Sequence, residues 1–458
     1  MIDMRIRDVL GISNAKLLFG NEDYEFKGFS KDTRTIQKGD TYVGIKGEKF
    51  DGNQFFLDAF LNGADTCVLE SVHLTDEIKE QYADRNFILV DDSVSFLMGA
   101  AKKKREEISV PVVAITGSVG KTSTKNIVAD VLAMKYSVLR TIRNENSQIG
   151  MSIRLLNYQD EEIIVLEMGM NQKGEIKKLS ELAQPDVAII TNIGTSHIGN
   201  LGSRENILKA KLEILEGLKG PIIVNQDNDL LQKWVSDAKY EPIITFGIHD
   251  QSDYQALHVS YTKDGTIYEL KGEKIELPVI GDAFVYNSLC AFVVGDLFGV
   301  DHNCIKKVVC KMKTDAHRLE FIKKDGITII DDTYNASYDS IASSLNVLKN
   351  LDGRKIAVLG DVFELGDYGE EIHRSIGALV AKAGIDLFVS VGSLARYMNE
   401  EAIQNGFSKE NCFHFQENGE AIHFLKEILK PGDLVLVKAS HGMNFLEIVE
   451  GLVNGDRI

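Results

Sequence analysis

Residues 110–126, VPVVAITGSVGKTSTKN, restrict the chain to a small set of folds. The apolar run that starts at Val110 stops at Thr116. The loop Gly117-Ser118-Val119-Gly120 follows, and Lys121, Thr122, Ser123 and Thr124 open a helical pattern carried by Ile127, Val128, Val131 and Leu132. A buried strand running through a glycine loop into a helix start is how a phosphate cradle is built. The glycines let backbone N–H groups turn inward, and the helix N-terminus adds partial positive charge. In that reading Lys121 reaches the β- and γ-phosphates of ATP and the Thr122 hydroxyl holds Mg²⁺. The general pattern G-x-x-x-x-G-K-[ST] would need glycine at 115, where the chain has Ile115; here the first glycine is Gly117. A plain glycine turn with a solvated lysine would use the same residues, but the strand, loop and helix context that the motif requires is all present.

Composition narrows the partners. Lys and Arg number 51 against 68 Asp and Glu, a net charge of −17, which argues against a nucleic-acid partner. An anionic substrate therefore needs a locally basic pocket. No apolar run approaches the ~18 residues of a membrane span, and the opening MIDMRIRDVLGIS lacks a signal-peptide core. The five cysteines are scattered with no C-x-x-C pair, so reduced thiols in the cytoplasm are expected, not disulfides or zinc.

Three units are expected. In residues 1–108, strands are predicted at 26–32, 41–45 and 67–69, with a helix whose apolar face is Phe55, Phe56, Ala59 and Phe60. The charge run Lys102 to Glu107 then reads as a solvated boundary. In residues 109–314, buried strands at 163–166 and 186–192 alternate with helices, which implies a parallel sheet covered on both faces. An antiparallel hairpin insertion is expected over 243–280. Residues 315–458 restart the pattern as a doubly wound unit without a phosphate loop. Ligands in such sheets bind beyond the carboxyl ends of the strands, where Gly117, Glu167 and the Asn192 to His197 loop fall.

Among the polar groups, Glu167 ends an apolar strand, as a cap or as a Mg²⁺ ligand. His197 lies in a polar glycine-containing loop, as a structural residue or as a ligand. Lys211 lies in the apolar stripe of a helix expected over 204–218. Either its head snorkels out, or it is a partly buried amine of depressed pKa that could take up CO₂ as a carbamate. Asp331-Asp332-Thr333-Tyr334-Asn335 fits an exposed turn as well as ribose recognition.

In order along the chain, several strings resemble the blocks of the Mur ligase family, most closely those of its last amide-forming member. They are SKDTR, KGDTYVGIKGEKFDG and NGAD; then TGSVGKTSTK, NENSQIG, EMGMNQKGEI, TNIGTSHIGNLGS and AKLEIL; then HRLE, IDDTYNA, LGDVFELG and VLVKASHGM. The resemblance implies an α/β fold of three domains. These are a small uridine-nucleotide domain (1–108), a central P-loop parallel-sheet ATPase domain (109–314) and a C-terminal, doubly wound, Rossmann-like domain that takes the amine (315–458). It implies that Gly117, Ser118, Gly120, Lys121, Thr122 and Ser123 bind the ATP phosphates. Asn287 would sit at the adenine, and Arg318 and Asp332 would reach ATP from the third domain. Thr122, Glu167, His197 and a carbamylated Lys211 would hold Mg²⁺, with Lys121, Lys211 and His197 as the catalytic set. Asp32, Thr33, Arg34 and Lys46 would lie near the uridine diphosphate, with Asn146 and Asn335 nearer the reacting groups. The implied activity is an ATP-dependent amide ligase of peptidoglycan precursor synthesis. Its small-molecule substrates would be a UDP-muramoyl-tripeptide and the dipeptide D-alanyl-D-alanine, and the enzyme is expected to be monomeric.

The chain departs from the family pattern in places. The block G-x-H-N-x-x-N is Gly281-Asp282-Ala283-Phe284-Val285-Tyr286-Asn287, N-A-N-P is Asn335-Ala336-Ser337-Tyr338, and K-G-S-R is Lys438-Ala439-Ser440-His441. These leave open a paralogue or a folylpolyglutamate-type ligase with another amine donor. A P-loop switch that only hydrolyses ATP is the more distant alternative.

Overall fold

The structure is a computed structural model that describes residues 4–47, 50–72, 75–143, 145–262 and 264–454. Glu48, Lys49 and Asn144, which fall inside family strings, lie outside the described residues.

The first sheet has the spatial order Lys16–Phe19, Asn86–Leu89, Thr66–Leu69, Thr41–Val43, Phe29–Ser30, and only the Lys16–Phe19 pairing is antiparallel. The strand expected over 26–32 is reduced to Phe29–Ser30. On this edge Asn157 of the next unit accepts from the Phe29 N–H at 2.8 Å and donates to its carbonyl at 3.0 Å, so a side chain stands in for a neighbouring strand. The helix Phe56–Leu61 buries Phe56, Ala59 and Phe60 around Phe87. Phe55, expected on that face, stands before the helix in a 3₁₀ turn and is 40% exposed.

The central sheet is seven-stranded and wholly parallel, in the order Tyr254–Gln255, Ile243–Gly247, Ile222–Asn225, Val187–Ile190, Val112–Thr116, Ile163–Glu167, Val138–Arg140. The expected insertion over 243–280 is thereby corrected. Ile243, Ile244 and Phe246 pair with the buried Ile222–Asn225 strand, and only Leu257–Thr262, Gly265–Leu270 and Glu273–Leu277 form an antiparallel sheet. The alternating pattern that signals a two-faced strand begins at residue 257, not at 243.

The third sheet has the order Glu320–Lys324, Ile327–Asp331, Asp433–Lys438, Arg354–Gly360, Leu387–Val391, Cys412–Phe415, parallel except at its first pair. The principal apolar core runs on from the first unit into the third, and separate clusters fill the outer faces of the first and third sheets.

The charge run 102–107 is not a plain solvated boundary. It closes the helix Ser93–Glu107, where Arg105 is buried and its Nε donates to Ala183 O at 2.8 Å. The guanidinium also reaches the carbonyls of Ile108 and Gln184, and Lys104 Nζ donates to Leu156 O at 2.8 Å. The two side chains cap orphan carbonyls at helix ends of the central unit. Arg105→Met keeps the bulk and removes the donors. It should lower unfolding free energy by about 2–3 kcal/mol, read as a fall in denaturant midpoint at unchanged slope.

Candidate active site

A cavity of about 850 Å³ opens at the carboxyl ends of the central strands, facing the third unit. Strand register makes this so. Ile115 pairs with Glu167 on one side and Thr116 with Ile190 on the other, so the glycine loop, Glu167 and the loop after Ile190 emerge together.

At Gly117 a Cβ would lie 1.8 Å from Thr191 Oγ1, and φ is +153°, so only glycine fits. Gly120, in the left-handed region, starts the helix Lys121–Leu132, and no side chain caps that helix. Its first N–H groups are therefore left to a ligand. Asn192 Oδ1 accepts from the N–H groups of Ser118 and Val119 at 3.0 and 2.9 Å, and Lys121 Nζ donates to Gly117 O and Ser118 O at 2.9 and 3.3 Å. The loop thus satisfies internally the groups that phosphate oxygens would engage.

Beside it, Glu167 is only 2% exposed. Its carboxylate accepts from Thr122 Oγ1 and from Asn146 Nδ2, both at 2.9 Å, and its N–H donates to Thr141 Oγ1. Among the described residues no cationic side chain forms an ion pair with it. Lys211, also 2% exposed, has no hydrogen bond or ion pair among the described residues. Burial, and then the nearby Lys121 ammonium, push its pKa well below the ordinary lysine range. It lies in the helix Arg204–Leu212, shorter than the expected 204–218 because residues 213–216 tighten into a 3₁₀ turn. Burial lowers the Lys121 pKa too, with Glu167 pulling it back. Lys125, which nothing in the sequence singles out, is buried and donates to Thr141 O at 2.7 Å, bracing the residue that holds the Glu167 backbone. A buried carboxylate whose hydrogen-bond donors are neutral, and an unpartnered amine lining the same cavity, are donors that would suit a divalent cation once the amine is carbamylated.

His197 lines the cavity with φ of 64°. Its Nδ1 lies 2.6 Å from Glu364 Oε2 of the third unit, and the imidazole holds the Glu364 carboxyl below its usual range. From the same direction Asp339 accepts from Thr195 N and Oγ1 at 2.7 and 3.0 Å. Arg318 lies 3.9 Å from the Tyr334 ring centroid and donates through Nη2 to Thr122 Oγ1 at 3.4 Å.

Asp332 is tied down. Lys438 Nζ pairs with its Oδ2 at 2.6 Å, Ser344 Oγ donates to the same oxygen and Leu319 N to the other. Asp331, Asp332 and Thr333 are buried, so the expectation of an exposed turn holds only for Tyr334 and Asn335. The Ser123 hydroxyl donates to Asp315 Oδ2 at 2.6 Å, and Asn287 Oδ1 accepts from Thr124 Oγ1 at 2.9 Å, so both are engaged at present. Ala283 and Phe284 line the cavity where the family pattern has His and Asn. Ser337 caps the helix Tyr338–Lys349 by accepting from Ser340 N. Ser for Asn at a cap and Tyr for Pro at the first helical position keep the local geometry, so this departure is one of capping chemistry.

The first unit contributes only Val94 to the cavity lining among the described residues. Asp32 caps the 3₁₀ turn Thr33–Thr35, and Arg34 binds it through N, Nε and Nη2. Those hydrogen bonds lower the Asp32 pKa to about 2. The Thr33 carbonyl accepts from Asn62, and Lys46 is exposed in a bridge with Asp51. Of these, Asp32 and Arg34 pair with each other, the Lys46–Asp51 bridge is one of backbone, and none of the four lines the cavity that joins the other predicted residues.

The sequence pattern of the Mur ligase middle domain matches residues 115–295, and that of the Mur ligase glutamate ligase domain matches residues 317–441. The chain is 37% identical to the UDP-N-acetylmuramoyl-tripeptide–D-alanyl-D-alanine ligase of Bacillus subtilis (strain 168), covering 99% of both chains. It resembles a crystal structure of MurF from Acinetobacter baumannii, with a TM-score of 0.87, 29% identity and 99% of each chain covered. It also resembles the MurF ligase from Thermotoga maritima in complex with ADP, with a TM-score of 0.80, 30% identity, and 93% of this chain and 96% of that one covered.

Proposed function

This chain belongs to the Mur ligase family, and from that premise we propose that it joins D-alanyl-D-alanine to a UDP-N-acetylmuramoyl-tripeptide, converting ATP to ADP and phosphate. The observation that carries the reading is that one cavity holds, beside a phosphate loop, a buried carboxylate and a buried amine that have no ion pair among the described residues. No hydrolytic switch needs that pair.

The chemistry follows from the bond to be made. A carboxylate will not accept an amine until its oxygen leaves as something better than oxide. Transfer of the γ-phosphoryl group to the tripeptide carboxylate gives an acyl phosphate and ADP. The neutral dipeptide amine then attacks the carbonyl carbon, loses a proton, and phosphate departs. Three anionic groups must meet for this, so the chain has to supply positive charge. Lys121 and the uncapped helix N-terminus with Gly117, Ser118, Gly120 and Ser123 take the phosphates, and Arg318 joins them from the third unit. Thr122, Glu167, His197 and a carbamylated Lys211 would hold Mg²⁺, which when bound neutralises phosphate charge. Asn287 borders the adenine, and Asp332, fixed by Lys438, shapes the loop that carries Asn335. Asn146 orients Glu167 on the side facing the acid.

Residues 1–108, 109–314 and 315–458 act as separate bodies for the nucleotide sugar, ATP and the amine. Asp32, Thr33, Arg34 and Lys46 meet the uridine diphosphate once their local pairs are exchanged. All five cysteines are free, which suits a reducing cytoplasm. Among the described residues no helix is long and apolar enough to cross a membrane.

Phosphate release tests the reading. It should require ATP, Mg²⁺, UDP-muramoyl-tripeptide and D-alanyl-D-alanine together, and an amine panel should single out the dipeptide. Comparable release with ATP and Mg²⁺ alone would indicate a switch, and preference for another amine would indicate a paralogue.

A further inference from the structure

Besides Arg318 and Asp339, the third unit reaches the cation corner of the cavity by the loop 364–366. Glu364, Leu365 and Gly366 lie against the short helix Ile198–Leu201, which starts directly after His197. The Gly199 N–H donates to Glu364 O at 3.1 Å. A Cβ at Gly199 would stand 2.5 Å from Gly366 N and 2.6 Å from Leu365 C, so the two backbones touch and only glycine allows it. Tyr368 Oη donates to Gly202 O at 2.5 Å on the same face. His197 and Glu364 both sit in the left-handed region, with φ of 64° and 63°. Neither is glycine, so each conformation is one that the surroundings must hold.

Within this contact, His197 Nδ1 is fully buried and meets no hydrogen-bond partner in good alignment. Among the described residues the charged group that faces it is the Glu364 carboxylate, with Oε2 at 2.6 Å, a contact of charge and distance. The other ring nitrogen, Nε2, makes no hydrogen bond among the described residues, and His197 lines the cavity. A histidine that binds a metal through one nitrogen is commonly set by a carboxylate at the other, which fixes tautomer and ring direction.

We infer that Glu364 is a positioning residue for His197: from the third unit it holds Nδ1 and leaves Nε2 for the cation, so that the corner is complete only when that unit is docked. The inference rests on the reading of His197 as a cation ligand. It adds that the corner depends on docking between units, because the carboxylate that sets the ligand belongs to a different unit from the ligand itself. Sequence spacing could not show this, since residues 197 and 364 lie in different units.

Mn²⁺ binding to the full-length protein with a non-hydrolysable ATP analogue, read by electron paramagnetic resonance, tests it without turnover. Glu364→Ala should weaken Mn²⁺ by about tenfold, and Glu364→Gln should recover part of that loss. His197→Ala should weaken it at least as much, and the double variant no further than His197→Ala alone. Tyr368→Phe, which removes a contact of the same docking face without touching His197, should stay within about twofold of the parent. If His197→Ala loses Mn²⁺ affinity while Glu364→Ala keeps it, the positioning role fails. If His197→Ala keeps it, the ligand reading beneath fails instead. Equal losses in Tyr368→Phe and Glu364→Ala would assign the effect to docking as a whole and overturn the role of the carboxylate.

Discussion

Lys121→Ala should lower ligation by about 10²–10³-fold, the scale of losing one preorganised charge at a developing anion. The ammonium is carried on the first turn of an uncapped helix and rests on the carbonyls of Gly117 and Ser118. A triphosphate in the loop competes for the same Nζ, and a buried cation gains most from an anion that arrives without water. Lys121→Arg should rescue little, because a planar fork does not fit a point-charge seat between two carbonyls. The readout is phosphate release at saturating substrates, with nucleotide binding measured separately. Undiminished turnover in Lys121→Ala would remove the phosphate-loop reading altogether.

Lys211→Ala should also be nearly inactive, by about 10²–10³-fold, yet regain activity with formate or acetate. Only a neutral amine attacks CO₂, giving an N–C bond and releasing a proton. Burial and the Lys121 charge depress the Lys211 pKa and so favour that neutral form. A small carboxylate in the space left by the side chain would restore the anionic oxygens. Lys211→Arg, which stays protonated, should not respond to either acid. The sign of the stability effect can be checked as well. The folded pKa lies below the unfolded value of about 10.4, so the unfolded chain binds the extra proton. In CO₂-free buffer stability should therefore rise with pH up to the unfolded value and fall as pH drops towards the folded one. Lys211→Met should remove that slope and be the more stable protein at pH 7. A folded Lys211→Ala variant that no small carboxylate rescues would exclude the carbamate.

Parts of this site were legible in the chain alone. The glycine loop could be read because its pattern is local: an apolar strand, two glycines three residues apart, and a helix start, whereas the press of Thr191 on Gly117 appears only in the folded sheet. Glu167 was legible as the last residue of a buried run, and Lys211 as a charge inside an apolar stripe. Asp332, expected to reach ATP from the third domain, lines the cavity. Its partner Lys438 was not legible, because a lysine ending an apolar strand reads as a surface cap until the sheet order puts it beside Asp332. Arg105 was misjudged for the same reason. Within its own helix it belongs to a charged run, and the carbonyls of Ala183 and Gln184 reach it only from the docked central unit.

By itself the sequence determined the α/β pattern, the parallel central sheet, the seat for phosphate and the strand ends at which a ligand would lie. All of these depend on periodicity, glycine and chain order within a few tens of residues. The tertiary structure alone decided that Asn157 closes the edge of the first sheet, that Asp339 and Glu364 cross to the loop after the Val187–Ile190 strand, and that the SKDTR charges spend themselves on one another. Such polar pairs carry no period. Which charge a side chain meets is fixed by how separately folded faces come together, and that depends on the shapes of whole surfaces.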